Sequence, residues 1–103
     1  MEYGWHVIIP LITSNDYTER LVGEYLELNK RIGKLVAHID SLRYPYHVSP
    51  DVVPIEVLKG QLIYMERYRS ILIKRIKHEI GEFEDFDDAI MIYVKERVHE
   101  QNK

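Results

Sequence analysis

Cysteine does not occur among the 103 residues, and its absence excludes disulfides, thiolate catalysis and any zinc site with a cysteine ligand. A positive surplus is missing as well, since the formal net charge is −3. General DNA and RNA binders neutralise phosphates with an excess of Lys and Arg, so polymeric nucleic acid is not an expected partner. No apolar run approaches the roughly 20 residues that a membrane span requires. The N-terminal Met1-Glu2-Tyr3-Gly4-Trp5-His6 lacks a basic n-region, and Pro10 interrupts the apolar Val7-Ile8-Ile9. Neither a signal peptide nor a membrane contact is therefore expected, and the chain is read as cytoplasmic.

Catalytic signals are equally sparse. His6, His38, His47, His78 and His99 are scattered, with no pair three or four residues apart beside a carboxylate, as a zinc motif requires. There is no nucleophile elbow and no glycine-rich phosphate loop. The acidic run Glu82-Phe83-Glu84-Asp85-Phe86-Asp87-Asp88 lacks the glycine and terminal glutamate of a calcium loop. The sequence therefore calls for no enzyme, no metal and no cofactor.

Helical periodicity is abundant. Asp16 followed by Glu19 has the spacing of a capping box, in which both side chains satisfy otherwise unpaired amides. Leu21, Tyr25, Leu28, Ile32, Leu35 and Ile39 then recur at alternating steps of four and three, which is a heptad seam. After Pro45 and Pro50, whose Tyr44-Pro45-Tyr46 and Ser49-Pro50-Asp51 surroundings are turn chemistry, Pro54 is suited to a helix start. Ile55, Leu58, Leu62, Met65, Tyr68, Leu72 and Ile76 form a matching stripe that Gly81 ends. The expected architecture is an all-α single domain over 1–103: an extended arm at 1–14, helices at 16–40 and 54–80 folded into an antiparallel hairpin, and a short tail helix at 86–99. The arm is read as extended because Pro10 breaks a helix or a central strand.

Two features point beyond a lone hairpin. Val22, Leu26, Val36, Ile63, Tyr64 and Ile71 lie off the seam and widen the apolar face beyond what one partner helix covers, so further copies are expected. Gly23 and Gly33 each cost a helix interior up to about 1 kcal/mol relative to Ala. With Lys30 and Ala37 they fall near one line, a groove that admits another backbone or a flat ligand.

Charge is unevenly spread. From Tyr17 to Glu79 eleven Lys or Arg stand against eight Asp or Glu, a surplus of three, whereas from Ile80 onward three stand against seven. The middle of the chain could hold a small anion. Its candidate binding residues are Tyr17 and Arg20, one turn apart, Lys30 and Lys34, one turn apart, and Arg67 and Lys74 on the second helix. Arginine and lysine hold phosphates through charge-assisted hydrogen bonds, and tyrosine stacks on a base. Taken by spacing alone, the same residues also describe an ordinary solvated helix face.

The pattern Glu19-Arg20-x-x-x-Glu24-Tyr25-x-Glu27-Leu28-x-x-Arg31-Ile32-x-Lys34-Leu35-x-x-x-Ile39, followed by Leu58-x-x-Gln61-Leu62-x-x-Met65-x-x-Tyr68-x-x-Ile71-Leu72-x-x-Arg75-Ile76, resembles a family of short phage proteins. These are related to proteins of crAss-like phages and share the helical hairpin of anti-CBASS and anti-Thoeris sponges. The resemblance, over about residues 17–79, implies sequestration without cleavage of an immune signal: a cyclic di- or trinucleotide or a molecule of the cyclic ADP-ribose type. It also implies a homo-oligomer, often a hexamer, with signals held between protomers in the infected host. The anti-CBASS branch uses a tyrosine ahead of the first helix and a lysine fifteen residues on, and those two places hold Leu11 and Leu26 here. The competing expectation is a protein–protein module that lays its hairpin on a host protein as an inhibitor.

Overall fold

The computed structural model describes residues 3–42 and 53–101, with the side chains of 98–101 left aside. The expected proline-rich turns at Tyr44-Pro45-Tyr46 and Ser49-Pro50-Asp51 lie outside the described residues. Four helices follow one another: α1 (Trp5–Ile12), α2 (Tyr17–Ser41), α3 (Ile55–Ile80) and α4 (Phe86–Gln101). There is no strand among the described residues.

The segment before Asp16 corrects one expectation, because α1 is a helix where the sequence suggested an extended arm. Pro10 stands inside it. In a helix of eight residues the proline forfeits a single intrahelical bond, at a cost of about 3 kcal/mol. Against that, Ile8 and Leu11, one turn apart, are 0% and 3% exposed, and burying two such side chains contributes about 1.5–3 kcal/mol each. Packing on α2 decides the conformation that propensity opposes. Both ends are tied by backbone bonds, Ile8 N–H to Gly4 O at 3.2 Å and Thr13 N–H to Ile9 O at 3.0 Å.

Gly23 shows where α1 sits. A Cβ at this position would lie 2.8 Å from the backbone nitrogen of Ile12 and 2.9 Å from the Leu11 Cβ, so the two helices touch backbone to side chain at this point. Of the six off-seam apolar residues, Val22 and Leu26 are buried within the chain and join the same core as Ile8 and Leu11. That corrects the expectation that sister copies must cover all of them. Val36, Ile63, Tyr64 and Ile71 remain exposed.

Helix α2 starts as its sequence asks. The Asp16 carboxylate accepts the Glu19 N–H at 3.0 Å. The return half of the box is relayed: Ser14 Oγ accepts the Asp16 N–H at 3.0 Å and donates to the Glu19 carboxylate. The second Glu19 oxygen is then free to face Arg97 Nε of α4 at 3.4 Å. Asp16→Ala should lower stability by about 1 kcal/mol, the usual worth of an N-cap, read as a drop in urea midpoint with an unchanged slope.

Helices α2 and α3 pack with their numbering reversed. Tyr17 meets Arg75, Glu24 accepts from the Tyr68 hydroxyl, and Leu28 and Arg31 lie beside Gln61, Tyr64 and Met65. The α3 seam differs from the expected one in one residue. Tyr68 is 39% exposed, while Arg69 takes the inner position between Met65 and Leu72 and donates to Asn29 Oδ1 at 3.3 Å. Steps of four and three run through 65, 69, 72 and 76, and a polar pair placed in such a seam fixes register at some cost in stability. Gly81, at φ +92°, ends α3 in a conformation that favours glycine. Helix α4 then returns along the start of α2, with Phe86 edge-on to Tyr25 at 5.2 Å and with Ala89, Ile90 and Val94 buried.

Candidate functional site

Helix α2 is touched along its length by the other three helices, and where they diverge a furrow opens over Asn29 and Gly33. On the α1 side the furrow is a cavity of about 450 Å³ lined by Tyr3, Leu26, Asn29, Lys30, Gly33, Lys34 and Ala37. Lys30 Nζ donates to the Tyr3 carbonyl at 3.2 Å. Its ammonium lies 5.3 Å from the centroid of the Trp5 ring, and that of Lys34 lies 5.9 Å from it. Cation–π contacts at such exposed sites are worth about 0.5–1 kcal/mol each, enough to orient the two lysines without neutralising them. This wall exists because α1 is helical and docked at Gly23, which carries Tyr3 and Trp5 back toward the middle of α2.

Gly33 is the floor. A Cβ built there meets nothing within 4 Å among the described residues, so no packing among them requires a glycine at the position. Ordinary helix energetics would favour Ala by up to about 1 kcal/mol. The groove that the line of small residues suggested thus divides in two: at Gly23 it is filled by the backbone of α1, and at Gly33 it is open.

On its other side the furrow continues into a second cavity of about 560 Å³, lined among others by Tyr25, Asn29, Gly33, Arg69, Asp85 and Asp87. Arg69 is partly buried between α2 and α3 and held by Asn29. The Tyr25 hydroxyl is pushed above the ordinary tyrosine pKa, chiefly by burial and further by the Asp87 charge. Burial likewise raises Tyr3, again with help from Asp87. Both phenols stay neutral, and able to donate, at pH 7.

The six residues picked out by spacing do not converge on one place. Lys30 and Lys34 line the furrow. Tyr17 and Lys74 share a shallow recess near the start of α2 with Arg75, His78 and Glu79, where Arg75 donates to the Tyr17 hydroxyl at 2.7 Å. Arg20 donates to the Ser14 carbonyl at 2.9 Å and so belongs to the α1–α2 turn. Arg67 lies 5.9 Å over the Tyr64 ring on the outer face of α3. Spacing along one helix cannot show which residues of other helices complete a site. Tyr3, Asn29, Arg69 and Asp87 escaped it for that reason, and the line of Gly23, Lys30, Gly33 and Ala37, with the Lys30–Lys34 pair, was what pointed to the furrow.

A family model described as Sequestin matches residues 15–78. That span takes in α2 and nearly all of α3, with Asn29, Lys30, Gly33, Lys34 and Arg69. Tyr3, just ahead of α1, and Asp87 of α4, which line the furrow, and Trp5, which stacks on its lysines, lie outside it. No curated protein and no solved structure gives a match.

Proposed function

This chain belongs to the Sequestin family, and on that premise we propose that it is a phage anti-defence sponge. It captures a cyclic nucleotide immune signal of the CBASS or Thoeris type and releases it unchanged. The family name denotes sequestration rather than turnover. The observation that carries the reading is the open furrow at Gly33 with Lys30 and Lys34 along one side and the Trp5 ring against them. Two ammonium groups supply charge for a phosphate, and an indole supplies a stacking face that tolerates any base.

In this reading the working unit is an antiparallel α2–α3 hairpin that assembles with its own copies in the host cytoplasm. Support comes from the outer face of α3, where Val57, Tyr64 and Ile71 repeat every seven residues and are 57%, 71% and 52% exposed. A stripe of that kind on a surface helix marks an association face. It also motivates the competing reading of an inhibitor that lays α3 on a host protein. A pull-down from host lysate separates the two, because a sponge recovers no stoichiometric host protein.

The direct test uses the only tryptophan in the chain, which sits at the furrow. Cyclic di- and trinucleotides and cyclic ADP-ribose isomers are titrated while Trp5 emission and thermal unfolding are followed. A ligand at a hundredfold its Kd should add about 2.7 kcal/mol of stability, and heat-denatured complex should return it intact on chromatography. Silence across the whole panel, or a cleaved product, overturns the proposal.

A further inference from the structure

Helix α3 carries a second apolar stripe beside the seam that packs on α2. Val57, Tyr64 and Ile71 are exposed along it, and Tyr64 is the most exposed of the large hydrophobic side chains among the described residues. Between this stripe and α2 lies a cleft of about 410 Å³ lined by Leu28, Arg31, Gln61, Tyr64, Met65 and Tyr68. It shares no lining residue with either cavity of the furrow, so the two are separate surfaces. A protruding tyrosine thus stands next to a hole of which it is itself one wall. Gly60, one turn from both Val57 and Tyr64, adds a second feature. A Cβ built there meets nothing within 4 Å among the described residues, so their packing makes no use of the missing side chain, whereas a second helix lying on the stripe would.

We propose that a second copy of this chain covers this face, its α3 laid antiparallel on this α3 about a two-fold axis at Tyr64, with Tyr64 of each copy seated in the cleft of the other. A two-fold interface must be self-complementary, so that residue i meets j while j meets i. The stripe meets that demand, because Val57 and Ile71 stand seven residues on either side of Tyr64 and each faces the other across the axis. A foreign protein places no such demand on its target. Charge then selects the direction of pairing. Glu56 and Lys74 are both exposed, and at eighteen residues, or about five turns, apart they share one flank of α3. Antiparallel pairing about Tyr64 brings Glu56 of each copy to Lys74 of the other. Parallel pairing would set Glu56 on Glu56 and Lys74 on Lys74, and like charges in contact disfavour it. The inference rests on the self-association named above and adds to it the face, the direction and the residue at the axis.

The test is sedimentation of the full chain over a concentration series at low salt. The unmodified protein should contain an even number of copies. Tyr64→Lys sets two ammonium groups against each other at the axis and should halve that number, weakening the pair about a hundredfold, as removal of a central aromatic anchor does. Ile71→Lys, at the other end of the stripe, should act in the same direction. Glu56→Lys turns two attractions into repulsions and should weaken pairing about tenfold, and adding Lys74→Glu in the same chain should restore it. Parallel pairing would leave Glu56→Lys without effect. Circular dichroism and a urea midpoint show that each variant stays folded. A monomer or an odd number of copies, a pair that survives both Tyr64→Lys and Ile71→Lys, or a Glu56→Lys loss that is absent or not restored overturns the proposal. Titration of the same samples with the cyclic nucleotide panel, read through Trp5, keeps the two readings apart: capture by an unpaired protein sinks this interface alone, and a paired protein that captures nothing sinks the sponge alone.

Discussion

Gly23→Leu should strip α1 from the protein and lower its stability by about 3 kcal/mol. Two effects oppose each other here. Replacing a mid-helix glycine by leucine gains up to about 1 kcal/mol of helix propensity. The new side chain, however, begins 2.8 Å from the Ile12 backbone nitrogen and 2.9 Å from the Leu11 Cβ, and a backbone atom cannot rotate out of the way. Overpacking costs typically 1–3 kcal/mol, and if α1 leaves instead, Ile8 and Leu11 return to water at about 1.5–3 kcal/mol each. Steric cost therefore exceeds propensity. Denaturant unfolding reads the loss of stability. A red shift of Trp5 emission reads the detachment, since the ring leaves Lys30 and Lys34. A variant as stable as the parent with unshifted emission would show that α1 does not dock at Gly23.

Gly33→Leu, ten residues further along the same helix, should have the opposite effect on folding and the larger one on function. Among the described residues nothing lies within 4 Å of a Cβ there, so only the propensity gain of up to about 1 kcal/mol remains, which corresponds to about 4–8 °C in melting temperature for a domain of this size. The leucine side chain would occupy the floor common to both cavities and stand between the Lys30 and Lys34 ammonium groups and Arg69. Signal affinity should fall about a hundredfold, or about 2.7 kcal/mol. A stabilised protein that no longer binds cannot be explained by misfolding, which makes the pair of readouts decisive. Undiminished binding in Gly33→Leu would remove the furrow as the site. A shift in sedimentation without any change in affinity would assign Gly33 to contact between copies.

Both glycines carry the same signal in the sequence, an unfavourable residue inside a strongly periodic helix. Their difference comes from α1, and α1 was the element least readable in advance. Residues Trp5 to Ile12 show no helical repeat long enough to set against Pro10, and their helix is selected by the apolar surface around Val22 and Leu26. The α3 seam shows the same limit on a smaller scale. A repeat through Tyr68 and one through Arg69 are both consistent with steps of three and four, and apolarity favours the tyrosine. The Asn29 side chain across the interface offers Arg69 a partner at 3.3 Å, so the polar residue takes the inner position and Tyr68 turns to Glu24.

What the sequence determined by itself is therefore what depends on local spacing. That includes an all-helical chain, the Asp16 start of α2, the Gly81 end of α3, the α2 stripe through Leu21, Tyr25, Leu28 and Ile32, and a line of small and basic residues around Gly33. Such features follow from interactions within a turn or two, which a linear pattern records. Tertiary structure alone decided that the proline-bearing N-terminus is a helix, that Gly23 is filled while Gly33 is open, and that Lys30 and Lys34 meet Trp5 on one side of a furrow that has Asp87 on the other. These depend on which helices touch, a question settled by the summed burial of side chains far apart in the chain and not by any segment's own preference.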